Sequence, residues 1–429
     1  MAKFILTLST HKMSRNGLSD DKLGRYVSSM RLIVSILITI NSIVCAADWP
    51  NWRGPNHNGI SKEKVPKADF SRIAWRKQIG VGFSSMAVSE GRLFTLGSTG
   101  EKRGNEETFY CLETDSGKIL WKDTYPAALV DYLHEGGPCA SPTVDGKRVY
   151  GLSKSGRLAC YDVANGKKHW SVDLMAKAGL ARPPEWGFAA SPVVLGSKII
   201  VEATFTCALD KATGKEIWRS KVYKPAYGSP GSFEFKGRTY LATLKTDGLV
   251  ILDATTGKTI AFQDWRTSFR TNSTTPIVIG NKIFISTGYR RGCALFEFTG
   301  NSLKQIYTNK NLSNHMNNSV VLGQYLYGFD GNTHQAGPKE LVCMRLADGK
   351  VQWRAEGYRC GSLMAVQDSL LVLGETGNLA MGKASPKGFK PDAQAQILRG
   401  RCWTVPVLAN GRIYARNAKG ELVCVDARL

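Results

Sequence analysis

An eleven-residue phrase recurs along this chain, and a unit repeated at a near-fixed spacing constrains the fold before any single residue does. It runs Cys111–Trp121 (CLETDSGKILW), Cys160–Trp170 (CYDVANGKKHW), Ala208–Trp218 (ALDKATGKEIW) and Cys343–Trp353 (CMRLADGKVQW). A fading copy carries Asp253, Thr256, Gly257 and Lys258, and a truncated one closes the chain at Cys424–Asp426. In each, a short apolar run enters a turn and a second run leaves it towards Trp, the pattern of two antiparallel strands joined tightly. The turn glycines Gly117, Gly166, Gly214, Gly257 and Gly349 supply the positive φ that a bulged hairpin loop needs. Asp162, Asp210 and Asp253 are therefore expected to be turn formers, since an Asp at this place bonds its own backbone two residues on.

Eight segments of small residues precede these units, at 82–88, 136–144, 186–194, 227–233, 269–278, 315–321, 359–366 and 401–407. Each passes through a turn into an alternating strand, as in Val149–Leu152 or Ile413–Arg416. Three strands and the Trp strand make four, so the chain predicts an all-β fold, an eight-bladed β-propeller of four-stranded antiparallel blades. Narrow strands suit the crowded axis, and the Trp strands belong at the rim. The chain ends after a third strand, while an orphan Trp strand at Ile73–Ile79, carrying Trp75, precedes the first small segment. The N-terminal strand is thus expected to complete the last blade and remove its free edges.

The domain reading is a signal region at 1–47, an N-terminal extension at 48–71 and one propeller at 72–429. Leu32–Val44 is apolar, follows Arg31 and precedes Cys45-Ala46-Ala47, as in a secretory signal; it is short for a membrane span. Two readings of the start remain open, translation from Met30 or a signal with a long n-region. Val44 is a poor residue before a lipid-bearing cysteine, which argues against anchoring at Cys45. The expected location is periplasmic or extracellular, and the expected state a monomer without a transmembrane span. Cys111, Cys160, Cys343 and Cys424 occupy equivalent places in different blades, too far apart to bridge. Pairing between neighbouring blades stays open for Cys139, Cys360 and Cys402.

The net charge is +22, and the first 47 residues carry six Lys and Arg against Asp20 and Asp21, so +18 lies beyond them. Such a surface favours anionic partners such as a polysaccharide, lipid head groups or a polycarboxylate, or is simply well solvated. An exported chain without a recognised nucleic-acid motif argues against nucleic acid.

The phrase Ala-x-Asp-x-x-Thr-Gly-Lys-x-x-Trp, complete at Ala208–Trp218, resembles the tryptophan-docking motif of the pyrroloquinoline-quinone (PQQ) repeat family, over residues 72 to 429. The opening Asp48-Trp-Pro-Asn-Trp-Arg-Gly-Pro55 is similar to that of secreted bacterial propellers of this kind. The resemblance implies that Trp75, Trp121, Trp170, Trp218 and Trp353 are rim staples docking on the next blade, with Ala261-Phe262 and Tyr307 as weaker substitutes. It also implies two branches, quinone-dependent dehydrogenases and non-catalytic scaffolds. The catalytic branch uses a vicinal Cys-Cys pair, calcium held by Glu, Asn and Asp, and an Asp base. No Cys-Cys pair occurs here, and no Asp lies in the eight small segments.

The small segments offer instead Arg270, Asn272, His315, Asn317, Asn318, Arg359, Arg399 and Arg401, with Trp186 and Trp403 as aromatic surfaces. They are candidates for one channel mouth, either as an anion pocket built on Arg forks or as groups that satisfy backbone around a wet channel. His134 and His169 are expected at the surface. The connections Leu174–Glu185 and Lys383–Gln394 are expected to project as binding loops. The favoured function is an exported, non-catalytic scaffold that binds protein or envelope polymer. The alternative is a PQQ-dependent alcohol or sugar dehydrogenase, with Arg270, Arg359 or Arg401 on the quinone carboxylates and Trp403 or Trp186 on its rings. Carbohydrate binding with Trp403 as a stacking platform is a third reading.

Overall fold

The computed structural model describes residues 47–65, 69–99, 105–129, 131, 133–225 and 227–428. The readings of the signal region, of Met30 and of Cys45 lie outside these residues. Eight four-stranded antiparallel sheets follow one another, at 87–126, 143–173, 193–219, 231–264, 277–309, 320–355, 362–396 and, for the last, 407–426 with 73–78. We number them blades 1 to 8. In blade 8 Ile73–Gln78 pairs with Glu421–Asp426, Ile73 opposite Val425 and Trp75 opposite Cys424. The expected closure by the N-terminal strand is what the strand pairing shows.

The turn motif explains how blades lock together. Gly166, Gly214 and Gly257 each sit at φ +73°. Their N–H groups donate to the carbonyls of Asp162, Asp210 and Asp253 at 2.8 to 2.9 Å. The three Asp carboxylates accept the N–H groups two and three residues on, as expected of turn formers. A Cβ on Gly117, Gly166, Gly214 or Gly257 would lie 2.4 to 2.8 Å from the indole of Trp75, Trp121, Trp170 or Trp218 of the preceding blade. The same four indoles donate to carbonyls of Thr114, Val163, Lys211 and Ala254 beyond the seam. Glycine is thus required twice, for its φ and for the ring lying on it.

Trp353 donates across to Ser385 at 2.7 Å, and Tyr307 packs over Gly349 in place of a tryptophan. The seam between blades 4 and 5 departs from expectation. Phe262 is 46% exposed, and Ala261 takes the buried position that Trp holds elsewhere. The gap is filled by Phe298, set edge-on to Tyr240 and Phe233 at 4.9 and 5.5 Å. Cys111, Cys160, Cys343 and Cys424 stand opposite the Trp residues, where only a small side chain fits. All nine described cysteines are free, including Cys139, Cys360 and Cys402.

The small segments stitch the blades together around the axis. Going round from blade 1, Ser84 Oγ donates to Ala140 O, Ser141 N to Ser191 Oγ, and Ser191 N to Ser229 Oγ. Tyr227 N then donates to Asn272 O, Thr275 N to Asn318 Oδ1, and Asn317 Nδ2 to Gly361 O. Ser362 Oγ to Thr404 O and Thr404 Oγ1 to Phe83 O complete the circle. Small polar residues predominate here because each must reach a neighbour's backbone at close range. A Cβ on Gly228 would lie 2.2 Å from Thr274 O.

Residues 48–63 cross one end of the channel. Trp49 exchanges backbone bonds with Val88 of blade 1, and Pro50 accepts from Val144 of blade 2. Trp52 Nε1 donates to Thr275 Oγ1, and Arg53 Nη1 to Ser319 O. Ile60–Ser61 adds a parallel strand to Ala365–Val366 of blade 7, and the Glu63 carboxylate accepts from Asn410 N and Gly411 N of blade 8. Among the described residues there is one helix, Leu174–Lys177, capped by Asp173. Its Leu174 is fully buried, and Ala384 and Phe389 pack against the core, so neither connection expected to project is wholly a free loop. No helix among the described residues is long and apolar enough to cross a membrane.

Candidate functional site

At the end of the channel away from residues 48–63 the axis opens as a funnel. Trp52 forms the floor. The walls carry Phe83, Trp186, Tyr227, Tyr289 and Trp403, hydroxyls from Ser191, Ser229, Thr271, Ser273, Thr275 and Thr404, and the imidazoles of His134, His315 and His334. No Asp, Glu, Lys or Arg is among the described residues of this lining.

The sequence candidates divide sharply. His315, Asn317, Trp186 and Trp403 line the funnel. Asn272 is fully buried and does not: its amide nitrogen donates to the carbonyls of Lys245, Thr246 and Trp265. Arg270 and Arg359 are exposed, at φ +55° and +53°, outside the lining. Arg399 is exposed as well. Arg401 stands 4.4 Å over the Trp403 ring and is held by Glu135 at 2.5 Å. The expected cationic mouth is therefore not assembled, because its arginines face solvent or are paired.

Trp403 is 5% exposed, with Phe83 stacked at 5.3 Å. Its Nε1 donates to Glu375, which also accepts from Arg359 Nε and Cys360 N. It is a wall, not the open platform expected of it. His169 is exposed as expected, but His134 is not a surface residue. Its ring stacks on Trp186 at 5.4 Å and meets Phe83 edge-on at 5.2 Å.

The imidazoles are neutral at neutral pH. Burial, with Lys154, Arg401 and His334 adding repulsion, brings His134 down to about 4. Burial and the other two imidazoles bring His315 to about 3. His315 is fixed between Tyr289 OH, 3.2 Å from Nε2, and Thr333 Oγ1, 3.1 Å from Nδ1. Burial and then Arg401 lower His334 also. Strong charges are sequestered between blades instead. Lys245 pairs with Glu202. Arg416, fully buried, donates to Leu96 O at 2.6 Å and Gly80 O at 2.8 Å, and its burial lowers it to about 10.

Sequence reasoning missed Trp52, His134, His334, Glu375 and Arg416. Trp52 lies in the opening motif already singled out, and that motif was the available signal. Arg416 lies on a blade 8 strand whose facing the sequence does not give, Glu375 in a hairpin turn, and His134 and His334 in connections whose course the repeat does not encode.

A family model described as outer membrane protein assembly factor BamB, of the PQQ-repeat type, matches residues 67–178 and 133–355. The chain belongs to that family. A curated relative, the outer membrane protein assembly factor BamB of Burkholderia pseudomallei, is 25% identical over 162 residues. That match covers 33% of this chain and spans 40% of the relative's length. Among solved structures, BamB from Moraxella catarrhalis superposes with a TM-score of 0.59 at 16% identity, over 82% of this chain and 99% of that one. A europium-containing methanol dehydrogenase gives 0.63 at 11%, over 88% and 89%. The quinohemoprotein alcohol dehydrogenase of Comamonas testosteroni gives 0.60 at 13%, over 92% and 82%. At these identities the structures share the fold.

The dehydrogenase neighbours raise PQQ and its metal as a question for the funnel. Calcium needs a cluster of anionic oxygen ligands, and among the described residues no group of three His, Cys, Asp or Glu is placed to hold a metal ion. The quinone carboxylates would meet no Lys or Arg among the described residues of the lining. The residues present do not fit that pair.

Proposed function

We propose that the chain is an exported, non-catalytic propeller that binds a protein or a polymer of the cell envelope through the face bearing the funnel mouth. The observation that carries this reading is the funnel's chemistry: aromatic, hydroxyl and neutral imidazole groups, with the nearby carboxylates Glu135 and Glu375 already engaged by Arg401 and by Arg359 with Trp403. Such a surface recognises but does not assemble the base and metal of a dehydrogenase. The assembly role printed for the BamB relatives supports the same direction. Leu133 and Phe269, 48% and 59% exposed near the mouth, supply apolar contact area, and the +18 charge beyond the first 47 residues favours an anionic envelope setting.

The test has two arms. The full chain is titrated with PQQ and calcium and assayed for dye-linked alcohol oxidation; turnover would establish the dehydrogenase alternative instead. In parallel, it is used to capture partners from the envelope fraction. Leu133→Asp with Phe269→Asp is expected to abolish capture, and Phe262→Asp on the outer edge to leave it unchanged. Equal capture by both variants would overturn the assignment of the face.

A further inference from the structure

We propose that the funnel binds a neutral saccharide, taken end-on, with its rings against aromatic walls and its hydroxyls on the ring of Ser and Thr side chains. The inference rests on the reading of the funnel face as the recognition face, and it names the ligand class. Residues 48–63 block the far end of the channel, with Trp52 as floor. The site is blind, so it suits a chain end better than a polymer passing through.

Charge disfavours other classes. Among the described residues of the lining an anionic ligand would find no Lys or Arg, and a cationic one would find aromatic faces but no carboxylate, against the repulsion of Lys154 and Arg401 felt at His134. A purely apolar ligand would cover the hydroxyls without satisfying them, at about 1–3 kcal/mol for each polar group left without a bond. What remains is a neutral ligand with apolar faces and many groups that both donate and accept. Sugar hydroxyls have that dual character, and so do Ser, Thr and Tyr hydroxyls. The Ser191 and Ser229 hydroxyls already accept N–H groups from Ser141 and Ser191, which turns their O–H protons to donation. His134 Nδ1 accepts from Gly136 N at 3.0 Å, which leaves its Nε2–H to donate. The axial C–H faces of a pyranose carry the small positive charge that an indole face attracts, and Trp186 and Trp52 are the half-buried indoles of this lining.

The experiment is a calorimetric and tryptophan-fluorescence titration of the full chain with neutral tetrasaccharides of glucose, mannose and xylose in α and β linkage. Digalacturonic acid and PQQ serve as charged probes. Expected is one-to-one binding by at least one neutral probe, with a Kd at or below about 1 mM that does not change with added salt. Trp186→Ala should weaken it at least about tenfold, and Tyr227→Phe, which keeps the ring and removes one hydroxyl, about threefold, the two factors corresponding to about 1.4 and 0.6 kcal/mol. Ile217→Ala, on an outer strand, should leave it unchanged. No binding by any neutral probe, or salt-sensitive binding of the charged probes alone, overturns the proposal. Envelope partners still captured in that case would leave the recognition face standing, so the two failures are distinguishable.

Discussion

Gly257→Ala isolates the Trp-on-Gly staple. Gly257 lies at φ +73°, and a Cβ there would stand 2.4 Å from Trp218 Cε3. Alanine must take a left-handed conformation, at about 1–2 kcal/mol, and must push the indole back by about 1 Å to restore an ordinary carbon contact. Trp218 is 8% exposed and its Nε1 bonds Ala254 O at 3.2 Å. Losing that bond is worth about 1 kcal/mol, and the loosened packing is bounded by the roughly 3–5 kcal/mol of deleting a buried tryptophan outright. The conformational and hydrogen-bond terms together give about 2–3 kcal/mol, and the loosened packing adds to them. Gly280→Ala is the internal control, since Gly280 has φ +60° and nothing within 4 Å of its added Cβ; it should lose only the conformational part of about 1–2 kcal/mol. Urea midpoints of both variants, with the emission maximum of the native state, give the answer. The Gly257 variant should unfold at clearly lower urea and emit further to the red before unfolding. Equal midpoints would refute the account of the staple and leave the turn glycines as conformational devices alone.

Two further outcomes follow from the buried ionisable groups. His315 is held neutral, its folded value lowered from 6.5 to about 3, so its stabilising contribution is complete above pH 6.5 and is lost as pH falls towards 3. At pH 4.5 the loss should be about 3 kcal/mol, and His315→Gln should flatten the fall of Tm between pH 6.5 and 4.5; an unchanged slope counts against it. Arg416→Met should destabilise by about 3 kcal/mol in urea, because the carbonyls of Leu96 and Gly80 lose a charged donor inside the seam between blades 8 and 1. A variant as stable as the parent would show that packing alone holds that seam.

The fold was legible because its determinants are local. Asp253, Gly257 and Lys258 build a turn from residues adjacent in sequence, and the turn fixes where a neighbouring Trp must lie. Closure followed from counting strands at the two ends. The site was less legible, for a geometric reason. Side chains in the small segments point either to the next blade or to the axis, and sequence does not say which. Asn272 and Asn318 turned to their neighbours, whereas His315 and Asn317, close by in the chain, reach the funnel. The arginines suggested a cationic mouth, yet Arg270 and Arg359 point out and Arg401 is neutralised by Glu135, distant in sequence. His134 and His334 sit in long connections without a repeat pattern to place them.

The closing strand also has a consequence in time. Blades 1 to 7 are each built from contiguous sequence and can form hairpins as the chain emerges. Blade 8 joins Ile73 to Val425, so a strand made among the first must wait for nearly everything else. Until then Ile73–Gln78 presents an open edge, a hazard for pairing with another copy, and the long span makes its capture entropically slow. The last six residues of that sheet, Glu421–Asp426, therefore act as a latch on maturation: a chain stopped short of them could make most of its hairpins and still fail to become a ring.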